Sequence, residues 1–468
     1  MTAYALYLHI PFCRQRCSYC DFNTYTTLGD LQDAYVAALV EEIRQVSALS
    51  AAAGDPRPDV RTLFFGGGTP SLLTPSQVAE ILAAARESFA VADDAEITME
   101  ANPGTVDEAW LAAVRALGVN RLSFGVQSAL PGELALLGRE HDFAAAVGAV
   151  SAARAAGFDN LNLDLIYGLP GQSVADWRRT LDAALPVGVE HISLYCLTIE
   201  PGTPMQRWLH NGTIPAPDPD TAADQYELAE RALGAAGFGH YEISNWARPG
   251  RECRHNLVYW RNEPYLGLGA GAHGLAGGYR YQVVRQPRAY VRRMDDGRRM
   301  IDDGRPPTVD RGMGGKLLTL DERQPPSGGA RPAAEGGEGV AAGGQRPVAE
   351  GTAGIAGGRR LSAAGGLSSP GHRAATPAIF PLSSAVAAYH RVGRAEAMSD
   401  TAITQLRLLD EGLDLAAFGA RFGQGFDDVY ANEVRQLETW QLLHRRDHRL
   451  LLTDRGRFLS NQVFYRFV

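Results

Sequence analysis

The chain has 468 residues, enough for one large α/β domain and a smaller second one, each with its own core. Hydrophobic residues make up 45% and charged residues 21%, and a net charge of −8 argues against a broad polyanion-binding surface, so no nucleic-acid partner is expected. No apolar stretch reaches the roughly 18 residues of a membrane span. The N-terminal MTAYALYLHIPF lacks the basic segment of a secretory signal. Five cysteines in so long a chain fit a reducing compartment, and the expected location is cytoplasmic. The basic side chains are arginines except Lys316, which reads as base-composition bias.

YALYLHI (4–10) reads as a first strand, and directly after it Cys13, Cys17 and Cys20 are spaced C-x3-C-x2-C. Soft thiolates favour iron–sulfur clusters or zinc. A closed zinc site needs four ligands, commonly from two pairs, and no second pair exists; Cys196 and Cys253 lie far away and singly. A cubane [4Fe–4S] cluster normally takes four thiolates. Three therefore imply one iron left open for a small molecule.

Five more apolar runs follow: VRTLFFG (60–66), EITMEA (96–101), NRLSFGV (120–126), NLNLDLIYGL (160–169) and HISLYCL (191–197). Between them LQDAYVAALVEEIRQV, PSQVAEILAAARESF, DEAWLAAVRALG and DWRRTLDAALPVG carry helical periodicity. Repeated strand–helix units predict parallel βαβ architecture. With no G-x-G-x-x-G after the first strand, an open or partial (βα)6 TIM-like barrel is preferred to a dinucleotide-binding sheet. Barrel sites form at the C-terminal ends of strands, and polar residues fall there. The cysteine loop follows strand one, GGGTPS (66–71) strand two, Glu100-Ala101-Asn102-Pro103 strand three and Gln127 strand four; Asp164 lies on strand five and Thr198 follows strand six. Singly, each is as readily a cap or a turn; six on one rim point to a site. The glycine turn lets backbone approach a ligand but lacks the GK[ST] ending of a phosphate loop. Arg139, in LGREH, offers an always-charged fork.

Residues 304–384 are rich in Gly, Ala and Pro and are expected to form a disordered insertion. Helical periodicity then resumes and ends in a hairpin, LLHRRDHRLLLT, predicting a winged-helix-like C-terminal domain over 385–468. Such modules often bind DNA. Between 396 and 468, however, nine Arg face eleven Asp plus Glu, so packing over the barrel mouth or against protein is expected instead. The expected division is 1–240 for the barrel with the cluster, 241–303 for an extension, 304–384 for the insertion and 385–468 for the C-terminal domain.

C-x3-C-x2-C with GGGTP and E-x-NP resembles the radical S-adenosylmethionine superfamily. The ordered series HIPFC, CDF, FFGGGTPS, EANPG, SFGVQS, LGREH, DLIYGLPGQ and LTIEPGTP is similar to its coproporphyrinogen-dehydrogenase-like branch, over 4–301 and again from 397 onward. The resemblance implies that Cys13, Cys17 and Cys20 hold a [4Fe–4S] cluster whose fourth iron is completed by S-adenosyl-L-methionine. It further implies that Tyr7, Tyr19, Gly67, Gly68, Thr69, Glu100, Gln127, Arg139 and Asp164 contact that cofactor. Two features choose between branches. The dehydrogenases resemble C-x3-C-x2-C-x-C, whereas Phe22 stands at the last position here, and HNLVYW resembles the HNxxYW signature of the HemW-type haem-chaperone branch. Without the family, a lone histidine beside Tyr and Trp reads as a satisfied structural residue. The resemblance implies instead that His255 ligates haem iron, with Tyr259 and Trp260 against the porphyrin; Cys253 is a second candidate ligand. The implied function is a haem chaperone that passes haem to an acceptor apoprotein, free or membrane-associated, and draws on an electron donor for the cluster. The competing reading is an oxygen-independent coproporphyrinogen III dehydrogenase, in which radical chemistry decarboxylates propionate side chains.

Overall fold

Six strands, β1 (Tyr4–Ile10), β2 (Asp59–Gly67), β3 (Ala90–Ala101), β4 (Arg121–Gln127), β5 (Leu161–Tyr167) and β6 (His191–Cys196), lie side by side in chain order and run parallel. They form the centre of a computed structural model that describes residues 3–302, 308–309, 376–377 and 379–468. Parallel neighbours need crossover connections, and helices supply them: α1 (Gln32–Ala52), α2 (Pro75–Ser88), α3 (Glu108–Ala116), α4 (Pro131–Leu137) with α5 (Phe143–Ala155), and α6 (Val174–Ala184). The starts of these helices are written locally. Thr74 and Gln77 form a reciprocal capping box ahead of α2, with Pro75 in the first turn, and Ser173 with Asp176 does the same for α6.

The sheet extends beyond this unit at both ends. After α7 (Pro204–His210) and α8 (Pro219–Ala235), β7 (Gly239–Glu242) and β8 (Asn245–Ala247) form a hairpin whose β8 runs antiparallel to β6. At the other end, α9 (Arg254–Trp260) leads into β9 (Tyr265–Leu268), parallel to β1, and antiparallel β10 (His273–Ala276) and β11 (Tyr279–Val283) follow. Beyond α10 (Pro287–Asp302) and the mutually paired β12 (Thr308–Val309) and β13 (Thr376–Pro377), β14 (Val386–Arg391) adds to β11. The outcome is an open twelve-stranded sheet with β14 and β7 at its ends. The expected α/β partial barrel is its parallel centre.

Alternation along the central strands separates two environments. Leu122, Phe124 and Val126 of β4 and Leu161, Leu163 and Leu165 of β5 are buried in the main apolar core. The alternate positions Arg121, Ser123, Asn162 and Asp164 face the inside of the barrel, where they line a cavity.

Most of the expected insertion lies outside the described residues. Its last stretch, 379–384, is packed: Ser383 Oγ donates to Glu42 of α1 (2.7 Å), and the Ser384 backbone N–H donates to Gln45 Oε1 (2.8 Å). These serines satisfy buried polar groups of α1, so 379–384 belong with the core rather than with the Gly-rich stretch before them.

The C-terminal module runs α11 (Arg394–Gln405), β15 (Leu413–Asp414), α12 (Leu415–Phe422), α13 (Phe426–Thr439), β16 (Leu443–Arg446) and β17 (Arg449–Leu452), closed by α14 (Asp454–Phe458) and α15 (Ser460–Phe464). This helix–strand–helix–helix–strand–strand order, with β15, β17 and β16 in one antiparallel sheet, is a winged-helix arrangement. Phe418, Phe422, Phe426 and Phe467 centre its core. The module docks on β7 and α9. Arg407 pairs with the fully buried Glu242 (3.5 Å) and lies 4.1 Å from the Trp260 ring centroid. Asn262 donates to Thr401 (3.0 Å), and Arg261 grips Glu411 through two bonds (2.6 and 3.0 Å).

Candidate functional site

A cavity of about 350 Å³ opens at the C-terminal ends of the central strands. The loop after β1 contributes Cys13, Cys17, Tyr19 and Cys20; the loop after β2 contributes Gly67, Gly68 and Thr69. β3 adds Glu100, β4 Gln127, β5 Asp164, the turn after α4 Arg139, and the segment after β6 Thr198. Tyr7 is not part of this lining.

The cysteine loop is tied to elements distant in sequence. Cys13 N–H donates to the Tyr25 carbonyl (3.0 Å), and Ser18 donates through N–H to Leu137 O (3.1 Å) and through Oγ to Leu136 O (2.6 Å) at the end of α4. Thr69 Oγ1 donates to Cys13 Sγ (3.4 Å), and Arg139 donates to Cys17 Sγ (3.3 Å) and to Gly125 O (2.6 Å). Burial raises the Cys13 thiol and lifts Cys20 to about 11, so both need a positive partner to become thiolates. Among the described residues, no three His, Cys, Asp or Glu side chains are placed to hold a single metal ion. Thiols spread around a rim suit a polynuclear cluster, in which each takes its own iron.

The glycine loop is a cradle by necessity. Gly67 has φ +112°, and a Cβ there would sit 2.5 Å from the His9 ring; at Gly68 it would fall 2.6 Å from Phe12 O. Gly67 N–H donates to Glu100 Oε2 (3.1 Å). Burial, with the Asp164 charge adding to it, lifts the Glu100 carboxyl to about 8 despite that bond, so it carries a proton at neutral pH. Burial raises Asp164 too, against hydrogen bonds from Ser123 (2.9 Å) and Asn162 (2.9 Å). Burial opposes the charge on Arg139, but neighbouring Tyr19 and Cys17 outweigh it and the guanidinium stays protonated. Arg139 Nε, Thr198 Oγ1 and Thr24 Oγ1 are buried without partners in this lining. A fork, two carboxyls, an amide, open backbone and orphaned polar atoms fit a compact zwitterion with hydroxyl groups.

Sequence reasoning missed His9. Its ring pairs with Tyr7 OH (3.0 Å) and the Asn23 carbonyl (3.0 Å) and fills the space beneath Gly67, so it joins β1, the cysteine loop and the glycine loop. The signal was present in HIPFC.

Tyr7 lines a second cavity of about 220 Å³, inside the barrel, together with His255 and Tyr259. It shares Glu100, Ser123, Asp164 and Tyr195 with the first. His255 is 1% exposed, with Nδ1 on Thr62 Oγ1 (2.9 Å), Nε2 on Tyr259 OH (2.9 Å) and its ring 5.0 Å from that of Phe64. Burial, then the Arg121 charge, bring it down to about 3, so it is neutral. With both nitrogens engaged, neither can meet an iron unless a bond breaks. Trp260 lies under Arg407 instead, so the structure gives His255, Tyr259 and Trp260 no common face. Cys253 is buried beside Glu96, which caps α9 by accepting from the N–H groups of Arg254 and His255 (both 2.9 Å), and burial pushes its thiol up to about 12. Phe22 is 63% exposed at the mouth of the first cavity.

A parallel (βα)6 unit with three cysteines after its first strand and a glycine-lined cavity at the strand ends defines a radical SAM protein. The profile of the radical SAM superfamily matches residues 7–184, and that of the HemN C-terminal domain matches residues 392–459. The chain is 47% identical over 291 residues to the heme chaperone HemW of Mycobacterium tuberculosis strain H37Rv, covering 62% of this chain and 73% of the relative. It is 42% identical over 272 residues to that of Escherichia coli K12, covering 58% and 69%. The chain belongs to the HemW family. The solved structure of coproporphyrinogen III oxidase, HemN, from Escherichia coli, described as a radical SAM enzyme, matches with a TM-score of 0.70 at 22% identity over 100% of this chain and 90% of that one, a likeness of fold. No helix among the described residues is long and apolar enough to cross a membrane.

Proposed function

We propose that this protein is a cytoplasmic haem chaperone that binds haem and hands it to an acceptor apoprotein. Cys13, Cys17 and Cys20 hold a [4Fe–4S] cluster kept active by an electron donor, and S-adenosyl-L-methionine occupies the first cavity. When bound, that pair supplies a sulfonium beside a redox-active cluster. Arg139 orients a ligand carboxylate, and protonated Glu100 with Asp164 receives hydroxyls. Gly67 and Gly68 permit close backbone approach, and Tyr19 shields the cysteine loop from water. His255 would hold haem iron through a nitrogen freed from its hydrogen bond to Thr62 or to Tyr259.

The observation that carries this reading is Phe22, exposed at the mouth of a complete cofactor cavity where the dehydrogenase pattern asks for a fourth thiol, in a chain whose relatives are named heme chaperones. The completeness of that cavity favours a second reading, coproporphyrinogen III dehydrogenase. One preparation separates them. The cluster is reconstituted anaerobically, haem binding is followed by absorbance, and coproporphyrinogen turnover is assayed alongside. Stoichiometric haem binding without turnover is expected; enzymatic turnover, or no haem binding, would overturn the chaperone reading.

A further inference from the structure

Parallel strands covered on both faces usually read as continuous apolar runs, yet β4, β5 and β6 turn Arg121, Ser123, Asn162, Asp164, His191 and Ser193 into the second cavity. Nearly all of these are matched to one another. His191 Nδ1 pairs with Asn162 Oδ1 (2.6 Å) and its Nε2 with Tyr241 OH (2.9 Å); Ser193 donates to Asn162 Oδ1 (3.2 Å) and Ser123 to Asp164 (2.9 Å). Asn256 donates to Tyr241 OH (3.2 Å). Arg121 is the exception. It is 2% exposed, its Nε is enclosed without a partner, and its guanidinium makes no hydrogen bond or ion pair with any described residue. The nearby carboxylates are engaged elsewhere, Asp164 by Ser123 and Asn162 and Glu96 by the N-terminus of α9.

The charges of Glu96 and Asp164 favour the charge on Arg121 from a distance, but a buried guanidinium that makes no direct hydrogen bond is costly, and its fork matches a carboxylate. The flanking His191 and His255 are held neutral by burial, which leaves Arg121 the one cation of the lining among the described residues. We propose that the barrel interior is a carboxylate-binding pocket centred on Arg121, entered from the cofactor cavity past Glu100, Ser123, Asp164 and Tyr195. A space of about 220 Å³ holds roughly seven waters, too little for a porphyrin ring but room for a carboxylate of roughly two to four carbons. A site for so small an acid differs in ligand from one for haem, although His255 and Tyr259 form part of its wall.

Propionate is the probe. Titrated calorimetrically into the full chain, it should bind, and Arg121→Gln should weaken binding at least tenfold while far-UV circular dichroism and the reconstituted cluster absorbance stay unchanged. Equal binding by the variant, or none by the wild-type chain, overturns the proposal. Should the variant not fold, crystals of the wild-type chain soaked in propionate decide: carboxylate density against Arg121 supports the pocket, and water alone there refutes it.

Discussion

Replacing Glu100 by glutamine should stabilise the cofactor-free chain at alkaline pH while weakening its hold on S-adenosyl-L-methionine. Burial and the Asp164 charge lift this carboxyl from 4.5 to about 8. Between those values the folded chain keeps a proton that the unfolded chain has released, so stability falls as pH rises through the window and levels off above it. At about 1.4 kcal/mol per pH unit, that span has a ceiling of about 5 kcal/mol. Glu100 is only half-buried at the cavity wall, and solvent screening there reduces the effect to about 2 kcal/mol. Glutamine can still accept from Gly67 N–H without carrying the charge. Urea unfolding of both proteins should therefore coincide at pH 5 and separate in favour of Glu100→Gln by about 2 kcal/mol at pH 8.5, with S-adenosyl-L-methionine affinity reduced tenfold or more. A difference independent of pH, or a variant less stable at pH 8.5, would refute the account of the cavity.

His255→Ala should cost about 3 kcal/mol by urea unfolding, since it empties a ring-sized space and strands the hydroxyls of Thr62 and Tyr259; the cluster absorbance should not change. Arg407→Ala leaves the buried Glu242 without its ion-pair partner and should cost about 3–5 kcal/mol. Arg261→Ala, which breaks an ion pair about 40% exposed at both ends, should cost under about 1 kcal/mol; limited proteolysis at the α11 junction should rank the two the same way. Gly67→Ala forces a Cβ against His9 at a φ of +112°, so it should keep its iron yet bind S-adenosyl-L-methionine at least tenfold more weakly by equilibrium dialysis.

The parallel centre was legible because its strands are apolar runs alternating with helices, of which α2, α3, α5 and α6 carry their own side-chain caps, and the run after Tyr4 ends at Ile10 as expected. The cofactor cavity was legible because barrel geometry gathers strand ends. Three things were hidden. Strands β9 to β11 are only four or five residues long, too short for periodicity to register. Beyond Asp164, the polar interior was masked because Arg121, Ser123 and Asn162 sit inside runs read as apolar, although their spacing of two is itself the sign of a face. The surroundings of HNLVYW could not be read at all: what engages His255 Nδ1 is Thr62, 193 positions away, and what covers Trp260 is Arg407, from another module.

Helix α9 carries seven residues and, among its attachments, two that matter here. On its inner side His255 bonds to β2; at its end Trp260, Arg261 and Asn262 hold the C-terminal module through Arg407, Glu411 and Thr401. In the haem-chaperone reading, a ligand that broke the Thr62 bond would pull on the segment on which the module rests. If that reading holds, free energies around the cycle close, and coordination at His255 and docking of the module would oppose each other by one coupling energy. An acceptor protein that loosened the module would then raise the affinity of His255 for its ligand, and one that seated it would lower that affinity.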